Sequence, residues 1–127
     1  MNINELTGQI IGSAIEVHTI LGPGLLESAY EECLCHELQT RKISFERQKP
    51  LPVKYKKASL DCGYRLDMVV ENQVIVELKA CTNIDPIHKA QLLTYLRLSE
   101  LHVGLLLNFS VPVMRDGIIR IVNEFDG

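Results

Sequence analysis

Asp67, Glu77 and Lys79 are the side chains of this sequence best placed to do chemistry, because each interrupts a run that otherwise reads as core. Glu77 and Lys79 break the stretch Gln73-Val74-Ile75-Val76-Glu77-Leu78-Lys79-Ala80, and Asp67 breaks Tyr64-Arg65-Leu66-Asp67-Met68-Val69-Val70 just before it. Alternate residues of a strand share a face. Val74, Val76 and Leu78 therefore point one way, and Ile75, Glu77 and Lys79 the other. Charged groups on a core strand are costly to desolvate without partners, so such strands mark sites more often than scaffolds. Two carboxylates converging on one face repel, which raises a pKa or recruits a cation. Hard oxygen ligands suit Mg²⁺ or Mn²⁺, ions that keep several waters and accept phosphate oxygens. Lys79, two residues from Glu77, can orient or activate a water and stabilise charge developing on a phosphate. Without a cation or phosphate, the same residues make a salt-bridge cluster of Lys79 with Glu77 and Asp67. Residue types alone leave both readings open.

The chemistry depends on how the two strands are joined. A three-residue loop, Glu71-Asn72-Gln73, makes an antiparallel hairpin that sets Asp67 directly opposite Glu77. A two-residue loop would pair Asp67 with Val76 and bury the acid among aliphatics. Hydrophobic patterning sets register, and it predicts the first arrangement.

Around this hairpin the pattern predicts a first helix over Asn4 to Leu21, from Ile3, Leu6, Ile10, Ala14, Val17 and Leu21 at helical spacing. Gly22-Pro23-Gly24 ends it. A second helix is predicted over Leu25 to Arg41, with Leu26, Ala29, Tyr30, Cys33, Leu34 and Leu38 on its apolar side. Short strands follow over Ser44 to Lys49 and Leu51 to Lys56, limited by Pro50 and Pro52, and Lys57-Ala58-Ser59 reads as a turn. After the two site strands, Gly63 to Val70 and Gln73 to Ala80, Asp85-Pro86 starts a helix running to Leu98. His102 to Phe109 is a continuous apolar strand that implies burial on both faces. Asp116-Gly117 turns the chain into a last strand, Ile118 to Asn123. The order α-α-β-β-β-β-α-β-β makes an α/β or α+β fold with a mixed sheet, in a single domain spanning 1–127.

The chain has 127 residues, 46% hydrophobic and 23% charged, as in an ordinary globular protein. No apolar run is long enough to span a bilayer and the N-terminus has no basic-then-apolar leader, so the expected location is cytoplasmic, away from membranes. Cys33, Cys35, Cys62 and Cys81 suit that compartment as free thiols acting as small buried hydrophobes. No CxxC pair suggests zinc. The net charge of −3 hides an asymmetry. Met1 to Thr40 carries acids and no Lys or Arg. Arg41 to Arg65 carries Arg41, Lys42, Arg47, Lys49, Lys54, Lys56, Lys57 and Arg65 against Glu46 and Asp61 alone. A basic hairpin can follow a phosphate backbone, or it can be an edge hairpin kept from aggregating by its lysines. Charge leaves those two readings open. His18, His36, His88 and His102 lack ligand spacing, although His18 can bond the nearby Gly22-Pro23-Gly24 turn. Asn108-Phe109-Ser110 matches a glycosylation pattern without meaning in a cytoplasmic chain.

Asp67 with Glu77-Leu78-Lys79 resembles the D…ExK signature of the PD-(D/E)XK nuclease superfamily. Gly24-Leu25-Leu26-Glu27-Ser28-Ala29-Tyr30 is a GxxExxY motif. With Ile15-Glu16-Val17-His18, Leu21 to Glu27 and Ala90-Gln91-Leu92-Leu93-Thr94-Tyr95-Leu96, it looks like the GxxExxY protein family within that superfamily, from about Glu5 to Val122. The resemblance implies a restriction-endonuclease-like core, a central mixed sheet flanked by helices. It implies that Asp67 and Glu77 are direct metal ligands, that the Leu78 carbonyl completes the site, and that Glu27 helps hold the metal, often through water. Lys79 would position the attacking water. Gln91 and Tyr95, on one helix face, would line the site and touch DNA or Lys79. Each residue has a plainer alternative. Glu27 can be a first-turn acid favoured by the helix dipole, Gln91 and Tyr95 can be polar caps on a buried helix, and Tyr30 reads as core.

The expected function is Mg²⁺- or Mn²⁺-dependent hydrolysis of phosphodiester bonds in nucleic acid, DNA before RNA. The alternative is a nucleic-acid-binding or regulatory module that keeps the fold without cleaving. A homodimer is also expected, with Val103 to Leu107 or the Ile118 to Val122 hairpin as its seam.

Overall fold

A computed structural model of the chain describes residues 1–124, so three residues of the expected 1–127 domain lie outside it. Helix α1 (Ile3–Leu21) starts where Asn2 Oδ1 accepts the Glu5 N–H at 2.8 Å, a side-chain cap on a free backbone donor. Its Leu6, Ile10, Ala14 and Val17 are all buried. Gly22 ends it at φ 69, a left-handed conformation that suits glycine. Helix α2 (Glu27–Thr40) begins two residues later than the predicted Leu25. Leu26 takes the extended N-cap conformation, which makes Glu27 the first helical residue.

Seven strands follow the helices or lie between them: β1 (Phe45–Pro50), β2 (Val53–Tyr55), β3 (Ala58–Leu60), β4 (Arg65–Val70), β5 (Val74–Lys79), β6 (Val103–Asn108) and β7 (Ile118–Val122). Helix α3 (Pro86–Ser99) connects β5 to β6. Five strands form one sheet in the order β1-β4-β5-β6-β7, while β2 and β3 pair apart from it. The α3 crossover makes β5 and β6 parallel, and the other neighbours are antiparallel. This is the mixed sheet flanked by helices expected from the sequence. Strand β3 was not expected. Lys57-Ala58-Ser59 reads as a turn in the sequence, but Ala58 and Ser59 belong with Leu60 to this short, fully exposed strand, which carries no alternating apolar pattern.

Two apolar layers cover the sheet. On one side α1 and α2 pack Leu6, Ile10, Tyr30, Leu34 and Leu38 against Met68, Val74, Val76, Leu78 and Leu105. On the other, Leu92, Tyr95 and Leu96 of α3 cover Val69, Ile75 and Leu106. The alternation read along β5 holds: Val74, Val76 and Leu78 enter the first layer and Ile75 the second.

β6 is buried at every position and flanked on both edges by other strands. That overturns the Val103 to Leu107 stretch as a dimer seam, since neither a face nor an edge is open to a second copy. β7 remains an edge strand. The cysteine expectation also needs correction: the thiols are free, but only Cys35 is buried, and Cys62 is exposed. Among the described residues no helix is long and apolar enough to cross a membrane.

Gly117, in the short 3₁₀ turn before β7, packs against the end of β6. A Cβ built there would stand 2.1 Å from the Asn108 carbonyl oxygen. Gly117→Ala must displace backbone, so it is expected to lower stability by about 1–3 kcal/mol in urea unfolding, the range for overpacked sites.

Candidate active site

The hairpin between β4 and β5 turns through Glu71 and Asn72, both left-handed at φ 51 and φ 53. Its three-residue loop gives the predicted register, pairing Val70 with Val74, Val69 with Ile75 and Met68 with Val76. One step further, the carboxylates take over from the ladder. The Asp67 N–H donates to Glu77 Oε2 at 2.7 Å, and the Leu78 N–H donates to Asp67 Oδ2 at 2.9 Å. Each acid thus holds the other strand's backbone. The second oxygens, Asp67 Oδ1 and Glu77 Oε1, accept no hydrogen bond among the described residues. Because no fully buried side-chain oxygen there lacks a partner, these two reach water.

Glu77 is only 5% exposed. Burial first, then the charge of Asp67, pushes its carboxyl up to about 8. Burial also raises Asp67, with the Leu78 N–H opposing, while Glu31 and Glu27 add to the rise. Two acids in this environment do not comfortably ionise together without a cation. Lys79 does not supply it by contact: among the described residues it makes no ion pair within 4.0 Å. The salt-bridge cluster that residue types left open is therefore not formed. The ammonium stands on a fixed base, because the Lys79 carbonyl accepts the Phe109 N–H at 3.0 Å. Just beyond it, the buried Asn108 side chain takes the Cys81 N–H at 3.2 Å and donates to the Cys81 carbonyl at 2.9 Å. That commitment also rules out Asn108 as a glycan acceptor.

Glu27 is exposed at the first turn of α2 and acts on both carboxylates through its charge. Among the described residues no three His, Cys, Asp or Glu side chains close into a ready-made ion cage. Asp67 and Glu77 form a pair, with Glu27 further off. Tyr30, expected in the core, is buried and stacks on Phe109 at 4.4 Å and 10°. Its hydroxyl donates to the Gly22 carbonyl at 2.6 Å and accepts the Leu25 N–H at 3.1 Å, which fixes the turn delivering Glu27. Tyr30→Phe is expected to cost about 1–2 kcal/mol in urea unfolding, because both backbone groups lose a buried partner.

Gln91 and Tyr95 lie on one face of α3, Gln91 half-buried and Tyr95 buried. Burial raises the Tyr95 hydroxyl pKa, helped by the charges of Glu77, Tyr64 and Asp67, while the Gln91 side chain favours ionisation. Both residues therefore belong to the surroundings of the acids. His18 does not bond the Gly22-Pro23-Gly24 turn through its ring; Nε2 instead meets the Val111 carbonyl at 2.8 Å.

Glu31 was not singled out in the sequence, yet it sits beside the site. It is buried on α2, held by Arg47 at 2.7 Å and by Gln48 at 3.0 Å. Its position one helical turn after Glu27 was the available signal. Tyr64 carries no sequence signal of its own, yet its ring meets Tyr95 edge to face at 6.1 Å.

The free oxygens of Asp67 and Glu77 suit a hard divalent ion. Magnesium in particular is held by one or two carboxylates and water rather than by an all-protein cage. The arrangement is a hairpin of crossed carboxylates with a nearby amine, on a mixed sheet between helices. No curated protein and no solved structure matches the chain. A sequence model of the PD-(D/E)XK nuclease superfamily matches residues 4–121, nearly the whole chain, with the hairpin inside the match. The chain belongs to the PD-(D/E)XK nuclease superfamily.

Proposed function

We propose that the protein is a divalent-metal-dependent nuclease that hydrolyses phosphodiester bonds in DNA, of the GxxExxY branch of its superfamily. The observation carrying this reading is the pair of crossed carboxylates with one open oxygen each, beside an ammonium without an ion-pair partner. A binding module has no use for charge left uncompensated on core strands.

Asp67 Oδ1 and Glu77 Oε1 would hold Mg²⁺ or Mn²⁺, with the Leu78 carbonyl beside them and Glu27 acting through water. When bound, such an ion supplies Lewis acidity at a phosphate oxygen and lowers the pKa of water. The remaining work falls to the chain. The crossed hydrogen bonds hold both carboxylates in place before substrate arrives, so no reorganisation is needed during reaction. Lys79 Nζ orients the attacking water and offsets charge developing on the phosphoryl oxygens. Tyr95 and Gln91 present a hydroxyl and an amide toward the same space and keep it partly dry, which strengthens each electrostatic interaction within it.

The test measures metal binding and hydrolysis together. Mg²⁺ or Mn²⁺ titrated into the wild type is expected to bind and to switch on cleavage of single-stranded, duplex or branched DNA. Asp67→Asn is expected to weaken metal binding at least about 10-fold and to lose cleavage, since removing even a hydrogen-bond partner of a metal ligand typically costs about 10–100-fold. Metal binding that ignores Asp67, or cleavage unchanged in Glu77→Ala and Lys79→Ala, overturns the reading.

A further inference from the structure

A groove of about 620 Å³ opens along α3, where Gln91 and Tyr95 line it, within the roughly 300–1,000 Å³ typical of ligand sites. Its walls include Val53, Ile87 and Leu98, the free thiol of Cys62, and the rings of Tyr64 and Tyr95. Those rings meet edge to face at an interplanar angle of 61°. Tyr95 is buried, but Tyr64 leaves 46% of its surface exposed and Ile87 68%. The groove therefore holds an aromatic ring braced by a second ring and otherwise open to water. Tyr95 in its wall lies within electrostatic reach of both Glu77 and Asp67.

Positive charge lies close in the chain to these walls. Lys54, Lys56 and Lys57 are on or beside the β2–β3 hairpin that carries Val53, and Arg65 follows Tyr64 directly. Lys54 reaches Glu100 at 3.8 Å, whereas Lys56, Lys57 and Arg65 have no acidic partner within 4.0 Å among the described residues. Lys56 lies 5.6 Å from the Tyr55 ring. Cations beside an open aromatic wall complement a ligand with a flat apolar face and a polyanionic thread.

We infer that the groove takes an unpaired nucleobase of single-stranded DNA, stacked on Tyr64, with Lys56, Lys57 and Arg65 on the flanking phosphates. This deepens the nuclease reading and rests on it: the strand to be cut is presented unpaired beside Asp67 and Glu77. Stacking accepts every base, since each has a π-face, so the preference is for strandedness and not sequence. A paired base cannot enter without leaving its duplex.

Binding can be read apart from cleavage by using the full chain carrying Glu77→Gln and following the fluorescence anisotropy of labelled oligonucleotides. The single-stranded DNA is expected to bind roughly 10-fold tighter than an abasic strand of equal length, as loss of one stacked base requires, and tighter than the duplex. Tyr64→Ala should reduce the intact strand to the abasic level, and Tyr64→Phe should retain the difference. Single-stranded DNA should also slow alkylation of Cys62, a readout that needs no Tyr64 variant. Equal affinity for intact and abasic strands, tighter binding of duplex, or an unprotected Cys62 overturns the groove assignment while leaving the carboxylate reading intact. Stacking as expected, without Glu77-dependent hydrolysis by the wild type, keeps the groove and sinks the nuclease reading.

Discussion

Lys79→Ala is expected to lower the rate of metal-dependent DNA cleavage by about 10³-fold, the scale seen when one preorganised charge is removed from a transition state. The fold should barely notice. Lys79 is half-buried and makes no ion pair within 4.0 Å among the described residues, so its loss removes no structural contact of that kind. A change in unfolding free energy within about 0.5 kcal/mol is expected, as for a substitution away from any packed network. Metal binding should persist or tighten, because the ammonium opposes a cation approaching the same face. Its charge is one of the influences that lower the pKa of Glu77 and of Asp67. Single-turnover cleavage at saturating metal, with unfolding and metal titrations alongside, separates these effects. A variant cleaving within about threefold of wild type would remove Lys79 from the mechanism, since that is under 1 kcal/mol of barrier. Equal loss of metal binding and cleavage would instead make Lys79 a prop for the carboxylates.

The part of this site that could be read from the sequence was the part set by local rules. The register of β4 on β5 followed from two apolar runs and a three-residue loop, and it held through Val70, Val69 and Met68. Patterning could not show that pairing stops there, with Asp67 and Glu77 each bonding the opposite backbone. That depends on side chains displacing a ladder. Partners remote in the chain were also hidden. His18 and Val111 are separated by 93 positions, and nothing near His18 signals the contact. Strand order was the largest gap. The run Val103-Gly104-Leu105-Leu106-Leu107 correctly implied burial on both faces, but the same apolarity also suggested an interface. Only the placement of β6 between β5 and β7 decides for the interior. Nothing local distinguishes Glu31 from the other acids of α2; its partners, Arg47 and Gln48, lie 16 and 17 positions further along the chain. Tyr64 reads as one more residue of the Gly63 to Val70 strand, because the α3 wall of the groove beside it comes from more than twenty positions further along the chain.

Glu77→Gln is expected to stabilise the metal-free protein at high pH while abolishing cleavage. Burial and the charge of Asp67 push the Glu77 carboxyl from 4.5 to about 8 in the folded chain. Between those values the folded protein keeps a proton that the unfolded chain releases. The unfolded state then binds fewer protons, so stability falls as pH rises. The contribution is fully present below the unfolded value and lost as pH climbs through the folded one. Asp67 is raised as well and adds in the same direction. Glutamine has no proton to lose, and its amide oxygen can still accept the Asp67 N–H. At about pH 5 the two proteins should unfold at similar urea concentrations, and at about pH 9 the variant should be more stable by about 2–4 kcal/mol. The divalent ion supplies the complementary measurement. Saturating Mg²⁺ or Mn²⁺ should recover the wild type's stability at high pH, because ligand binding to the folded state alone shifts the equilibrium. The same ion should do much less for Glu77→Gln. A wild type whose stability is flat from about pH 5 to about pH 9 would mean the buried pair is already neutralised from within the chain. The open oxygens of Asp67 and Glu77 would then have no need of a cation, and the hydrolytic reading would lose its electrostatic basis.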